Sequence, residues 1–161
     1  TICAGDVILG IQSSGFHSNG YSLIRKIFSE KELRGPIGRR LLAPTIIYVR
    51  PIMKLIEKIH VQGIVNITGG GFYDNLPRVI PVGLGAVIDS NAWEVPEIFR
   101  IAQKTGKISD REMYKTFNMG IGMVVVLAER FVGQAVRTLK NFKLNSWVIG
   151  QIMKKNGVEI L

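Results

Sequence analysis

VILGIQSSGFHSNG, residues 7–20, and IVNITGGG, residues 64–71, are two segments of one design. Each is an apolar run typical of a buried strand that ends in small residues, and each precedes a stretch with helical periodicity. The first N–H groups of a helix have no acceptor within it, so small residues at that point let an anion approach the backbone. The two segments predict two strand–loop–helix units that hold a phosphorylated small molecule.

Backbone and hydroxyl donors in these loops are the candidate phosphate ligands. Glycine triplets also occur in ordinary turns, but a preceding strand, a following helix and a threonine hydroxyl together favour anion binding. The predicted substrate- and phosphate-binding residues are Ser13, Ser14, Gly15, Thr68, Gly69, Gly70 and Gly71.

Three further side chains are candidates for the chemistry itself. His17 lies in a loop of small residues, where an imidazole either has a functional role, as a donor to a phosphate or a carrier of a proton, or has only a structural role. Asn19 either caps the following helix or binds a ligand amide, since its side chain both donates and accepts. Asn118, before a glycine-punctuated strand, has the same two interpretations. His60 is assigned no site role.

Composition favours one globular domain. The chain has 161 residues, 47% hydrophobic and 20% charged, and no apolar run approaches the roughly 18 residues of a membrane span. It begins at Thr1 without a methionine or signal peptide, so we expect it to be a piece of a longer polypeptide. With Cys3 as the only cysteine, an internal disulfide and a thiolate zinc site are excluded, and the cytoplasm is the expected location.

The charge of +9 raises the question of nucleic acid. Basic residues are scattered rather than gathered in a stripe, so nucleic-acid binding is not favoured, and anionic metabolites are an equal electrostatic match. The acidic residues Asp6, Asp74, Asp89 and Asp110 occur singly, which predicts no metal site. Neither glycine-rich loop continues into the Lys-Ser/Thr pair of a Walker loop, so another segment must bind most of any ATP.

The remaining periodicity predicts an α+β fold, a three-layer α/β/α arrangement with a mixed sheet. Residues 29–40 read as a mobile surface excursion. Ser109 and Glu112 predict a reciprocal capping box. Strands are expected at 7–12, 64–67, 82–88, 121–127 (in the middle of the sheet), 147–153 and 158–161, the last two joined by a turn at 155–157. Helices are expected at 21–28, 52–59, 72–80, 96–105, 110–116 and 129–142.

Five motifs occur in register along nearly the whole chain: GDVILG at 5–10, SSGFHSNGYSL at 13–23, ITGGG at 67–71, NLPRV at 75–79 and EMYKTFNMGIGM at 112–123. Together they resemble the C-terminal domain of the phosphoribosylformylglycinamidine cyclo-ligase (aminoimidazole ribonucleotide synthetase) family. Phe16, Phe72, Tyr73 and Asp74 depart from the usual pattern of that family.

The resemblance implies ATP-dependent ring closure of formylglycinamidine ribonucleotide in de novo purine biosynthesis. ATP phosphorylates the formyl oxygen, a nitrogen attacks, phosphate leaves and the imidazole ring closes. Residues 1–161 would be the C-terminal domain of a two-domain, homodimeric enzyme whose N-terminal half supplies most ligands for ATP and Mg²⁺, so this domain alone is expected to be inactive. The two loops would hold substrate or transferred phosphate, with His17, Asn19 and Asn118 at the reacting group.

Other functions are compatible with parts of the pattern. Selenophosphate synthetase, thiamine-monophosphate kinase and a hydrogenase-maturation protein look like distant members of the same superfamily. A basic RNA-binding module and a non-catalytic interaction domain are the alternatives from other classes.

Overall fold

The computed structural model describes all 161 residues. Six strands form one sheet: β1 (Val7–Gln12), β2 (Val61–Asn66), β3 (Gly85–Ile88), β4 (Ile121–Leu127), β5 (Ser146–Met153) and β6 (Gly157–Ile160). Eight α-helices surround it: α1 (Tyr21–Ile27), α2 (Glu30–Leu33), α3 (Pro36–Leu41), α4 (Val49–Lys58), α5 (Gly71–Asn75), α6 (Glu97–Gly106), α7 (Asp110–Thr116) and α8 (Val132–Lys140). Short 3₁₀ turns follow α5 and precede α8.

The sheet is mixed, with strand order β2-β4-β1-β5-β3-β6. Neighbouring strands are antiparallel except β3 and β6, which are parallel. The apolar run of β4 lies between β2 and β1 and is buried on both faces. This confirms the predicted interior position of residues 121–127, because only a strand covered on both faces tolerates unbroken apolar sequence.

Alternate residues of β4 divide the core into two layers. Val124 and Val126 belong to a cluster that packs against α1, α5, α6 and α7, whereas Val125 and Leu127 belong to a second cluster beneath α4 and α8. Because successive side chains of a strand point to opposite faces, these two clusters lie on opposite sides of the sheet. The predicted three-layer α+β arrangement is confirmed. None of the eight helices combines the length and apolar content that crossing a bilayer requires.

The predicted surface excursion at residues 29–40 is wrong in part, because this segment contains α2 and α3. Ser29 and Glu32 form a reciprocal capping box at the start of α2, where each side chain accepts the other's backbone N–H. At α7 only half of the predicted box forms: Ser109 Oγ accepts from the Glu112 N–H, while Glu112 accepts from the Thr116 hydroxyl.

The last two strands are connected by a short turn but do not pair with each other. β3 lies between them, so residues 154–156 cross over the first residue of β3. That residue is Gly85, whose Cβ, if present, would lie 2.3 Å from the Gly157 carbonyl oxygen and 2.8 Å from that of Lys155. The absent side chain leaves room for this crossing, which the turn sequence alone does not indicate.

Candidate functional site

The sheet brings the two predicted loops to one edge. β1 and β2 are both antiparallel to β4 and flank it, so they run parallel to each other. Their carboxyl ends therefore meet beside the start of β4. The loop at residues 13–20, the loop at 68–71 and Asn118 converge at this edge, although they are distant in sequence.

A direct hydrogen bond joins the two loops. Asn19 Oδ1 accepts the backbone N–H of Gly69 at 3.0 Å, across 50 positions of sequence. The Asn19 side chain makes no cap at the start of α1, whose N-cap residue is Gly20 in the left-handed region. Asn19 therefore fixes one loop relative to the other.

Asn118 organises the first loop from inside the protein. Its side chain is buried, with 2% exposure. Nδ2 donates to the Gly15 carbonyl at 2.8 Å, and Oδ1 accepts the Ser13 hydroxyl at 3.0 Å and the Gly120 N–H at 2.9 Å. Because three internal bonds occupy this amide, the geometry favours a role in positioning the loop over direct contact with a ligand.

His17 is held in a defined tautomer. Its Nε2 accepts the backbone N–H of Ser14 at 3.2 Å, so the proton of the neutral ring is on Nδ1. Burial lowers the pKa of this imidazole, which favours the neutral form. The backbone of His17 is left-handed, with φ 56°, and its ring centroid lies 6.0 Å from that of Tyr48. No internal acceptor is bonded to Nδ1, so this donor is available to a ligand.

Gly122 of β4 makes room for these two rings. A Cβ at this position would lie 2.1 Å from Tyr48 Oη and 2.5 Å from His17 Cε1. Tyr48 is itself fixed, because its hydroxyl donates to the Gln12 carbonyl at 2.6 Å. A glycine in the interior strand is thus part of the site, and its only sequence signal is that it interrupts the apolar run IGMVVV.

A second wall of the site comes from residues 41–45, which no sequence motif indicates. Tyr21 Oη donates to the Leu41 carbonyl and Ser14 Oγ to the Pro44 carbonyl, each at 2.5 Å. Between this wall and His17 lies a cleft of about 400 Å³. These contacts bind the segment before α4 to the first loop.

The glycine loop depends on Asn75, the first residue of the NLPRV motif at 75–79. The motif itself does not indicate this role. Asn75 is fully buried, and Nδ2 donates to the carbonyls of Thr68, Gly69 and Gly71 at 3.3, 3.2 and 2.6 Å. Its Oδ1 accepts the Thr68 hydroxyl at 3.1 Å. Gly70 and Gly71 have φ of 91° and 56°, a region that favours glycine. A side chain at Gly71 would lie 1.9 Å from the Tyr114 carbonyl oxygen.

The loop N–H groups divide into two sets. Those of Ser14, Gly69 and Gly71 donate to internal acceptors. Those of Gly15, Phe16, His17, Ser18 and Gly20 in the first loop and of Thr68 and Gly70 in the second donate to none. Among the residues predicted to bind phosphate, the free backbone donors are Gly15 in the first loop and Thr68 and Gly70 in the second. The structure contains no group of three or more His, Cys, Asp or Glu side chains that could hold a metal ion.

Residues 4–161 match the family model described as AIR synthase related protein, C-terminal domain. The chain belongs to this family. The C-terminal-domain match covers both loops, Asn75 and Asn118, so every residue of the site described above lies within the family's own domain.

Two curated relatives of this AIR synthase related domain are named phosphoribosylformylglycinamidine cyclo-ligase. This chain is 50% identical over 93% of its length to a phosphoribosylformylglycinamidine cyclo-ligase of Caldicellulosiruptor bescii. It is 45% identical over 98% of its length to a chloroplastic one of Arabidopsis thaliana. It covers 47% and 43% of those two proteins, so the chain spans about half the length of the curated relatives it matches.

Solved structures show the same fold at lower identity. Thiamine-monophosphate kinase from Stenotrophomonas maltophilia superposes with a TM-score of 0.68 at 16% identity, over 98% of this chain and 50% of that one. The E. coli hydrogenase maturation protein HypE gives 0.64 at 20% identity, over 99% and 47%. At these identities the likeness establishes the architecture alone.

Proposed function

We propose that this chain is the C-terminal half of an ATP-dependent cyclo-ligase that closes formylglycinamidine ribonucleotide to aminoimidazole ribonucleotide in de novo purine biosynthesis. The observation that carries the proposal is 45–50% identity to curated cyclo-ligases over nearly the whole domain. Identity to the kinase and to the hydrogenase maturation protein is 16% and 20%, which supports the cyclo-ligase over these distant relatives.

The site geometry suits phosphoryl transfer. Catalysis of this chemistry rests mainly on positioning and on neutralising charge on the phosphoryl oxygens, so the protein supplies donors rather than a nucleophile. In our proposal the free N–H groups of Gly15 and Gly70 bind substrate or transferred phosphate, with the Ser13, Ser14 and Thr68 hydroxyls beside them. His17 donates from Nδ1 into the adjoining cleft.

The two asparagines have different proposed roles. Asn19 places the N–H donors of Gly15 and Gly70 relative to each other through its bond to Gly69. Asn118 acts through the Gly15 carbonyl and the Ser13 hydroxyl that it bonds. Both would affect turnover by misplacing donors, since a displacement of about 1 Å costs on the order of 10²-fold in rate.

The rest of the enzyme is also proposed. A preceding half of similar length, consistent with the relatives' size, would form the homodimer and hold most of the ATP and Mg²⁺. Exposed, unpaired Cys3 fits a reducing compartment such as the cytoplasm.

The test uses the complete polypeptide that contains this chain, supplied with formylglycinamidine ribonucleotide and Mg·ATP. The expected products are ADP, phosphate and the aminoimidazole ribonucleotide. Their formation is measured by chromatography. Asn19→Ala should reduce turnover about tenfold to hundredfold through donor misplacement. Asn141→Ala, which removes an exposed asparagine at the end of α8, is the matched control and should retain the parent rate. A folded, complete enzyme that forms no imidazole product would refute the proposal.

A further inference from the structure

A second cleft lies away from the two loops, between α5, α6, α7 and the end of β6. Its volume is about 500 Å³, within the range of roughly 300–1,000 Å³ typical of small-molecule sites. The lining is mixed: Val95, Met119 and Ile160 supply apolar surface, and arginine, tyrosine and glutamine side chains supply polar groups. No step of the proposed reaction uses this cleft.

The charge of the cleft favours an anion. Arg100 on α6 and Arg111 on α7 both line it, and neither guanidinium forms an ion pair anywhere in the structure. The single carboxylate of the lining, Asp110, is engaged by Gln103 Nε2 at 2.6 Å. Two free guanidinium groups on neighbouring helices can grip the oxygens of a phosphate or carboxylate from two sides.

The cleft also has flat walls. The Arg111 guanidinium carbon lies 5.6 Å from the centroid of the Tyr73 ring, so these two planar groups are already paired. Tyr114 presents a second aromatic ring to the same space. Planar guanidinium and phenol groups stack favourably on a planar ligand ring.

The cleft adjoins the supports of the two loops. Tyr73 is in α5, the helix that begins at Gly71, and Met119 directly follows Asn118. The close approach of Gly71 to the Tyr114 carbonyl packs α5 against α7 without an intervening side chain. A molecule in the cleft therefore contacts both helices that confine the glycine loop.

We propose that this cleft is a second binding site, for an anion that carries a planar ring and has the size of a nucleoside monophosphate. Arg100 and Arg111 bind the anionic group, and the Tyr73 and Tyr114 rings contact the planar part. The site is separate from the pair of loops and does not depend on the proposed reaction.

The probe is AMP, with its binding measured by calorimetry on the protein that contains this chain. Arg100→Ala and Arg111→Ala should each weaken AMP binding about tenfold or more, because each removes one charge-assisted contact. Arg137→Ala is the matched control, since Arg137 is an exposed arginine on α8, on the other side of the sheet, and forms no ion pair. Arg137→Ala and Asn19→Ala should each leave the affinity for AMP unchanged.

Two further ligands test the ring. Inorganic phosphate alone and adenosine alone should each bind less tightly than AMP, and Tyr73→Ala should weaken AMP more than it weakens phosphate. Equal affinity for phosphate and AMP would overturn the ring contact. Failure of AMP to bind at about 1 mM, or loss of binding in Asn19→Ala but not in the arginine variants, would overturn the site. Neither result bears on turnover, so the cyclo-ligase proposal is tested separately.

Discussion

Replacement of Asn75 by alanine should destabilise the protein and loosen the glycine loop. The amide has two Nδ2 hydrogens for the three carbonyls of Thr68, Gly69 and Gly71, and the bond to Gly71 is the shortest at 2.6 Å. Its Oδ1 adds the bond from the Thr68 hydroxyl. Alanine removes all of these at a fully buried position.

The magnitude follows from what is left without a partner. The two Nδ2 hydrogens and the one bond to Oδ1 amount to three hydrogen bonds, each of about 1 kcal/mol, that alanine would remove. The Gly71 carbonyl is buried, so water does not readily replace the donor that it loses. Gly69 is exposed, and its carbonyl can regain a bond to solvent. We expect the free energy of unfolding to decrease by about 3 kcal/mol.

Urea unfolding followed by tryptophan fluorescence measures this change. Trp93 lies 6.0 Å from the Phe72 ring of α5, so its emission reports on the same helix. Asn75→Asp is a sharper variant, because a carboxylate there faces carbonyl oxygens with no donor of its own and should be at least as destabilising at neutral pH. Asn141→Ala, at an exposed position, should change the unfolding free energy by less than about 0.5 kcal/mol. A loss below about 1 kcal/mol in Asn75→Ala would refute the claim that this amide holds the loop.

Two other predictions concern His17 and its surroundings. Burial lowers the folded-state pKa of His17 below its ordinary value of 6.5, so the unfolded chain takes up a proton first as pH falls. The His17 contribution to stability is therefore complete above about pH 6.5 and decreases as pH falls through 6.5 toward the lower folded-state pKa. Unfolding free energies measured across this window should depend less on pH in His17→Asn than in the parent; identical profiles for the two proteins would contradict this. Gly122→Ala should cost about 1–3 kcal/mol by displacing the Tyr48 and His17 rings, whereas Gly133→Ala, exposed in the first turn of α8, should stabilise by about 0.4–1 kcal/mol. Equal melting temperatures for these two glycine variants would show that the rings move aside freely.

Local sequence pattern predicted most of the elements. The unbroken apolar run of β4 specified an interior strand, and the strands at 7–12 and 121–127 have the predicted bounds. These predictions succeeded because burial imposes a periodicity that is visible over a few residues. Helix boundaries were less accurate where a 3₁₀ turn replaces the first or last turn, as beside α5 and α8.

The errors arose where distant parts of the chain meet. The last two strands are joined by a turn as predicted, but β3 lies between them, an arrangement that depends on room at Gly85 and that the turn sequence does not indicate. The segment at 29–40 read as surface loop because its glycines and charges outweighed two short helices, although Ser29 and Glu32 carry a capping-box signal. A short stretch of sequence specifies neither the order in which strands pair nor how short helices pack on the rest of the protein.

The sequence by itself determined the family, the layered fold and the two loops at which an anion is expected, because strand ends, small residues and helix starts are local patterns. Only the tertiary structure decided which side chains fix the two loops and which loop N–H groups stay free to bind an anion. Asn118 bonds to Ser13 across 105 positions and Asn19 to Gly69 across 50; of the four predicted glycines, Gly69 and Gly71 donate their N–H groups internally, whereas those of Gly15 and Gly70 stay free. The physical reason is that a side-chain amide has few bonds to make, and only the folded chain shows which partners it has taken.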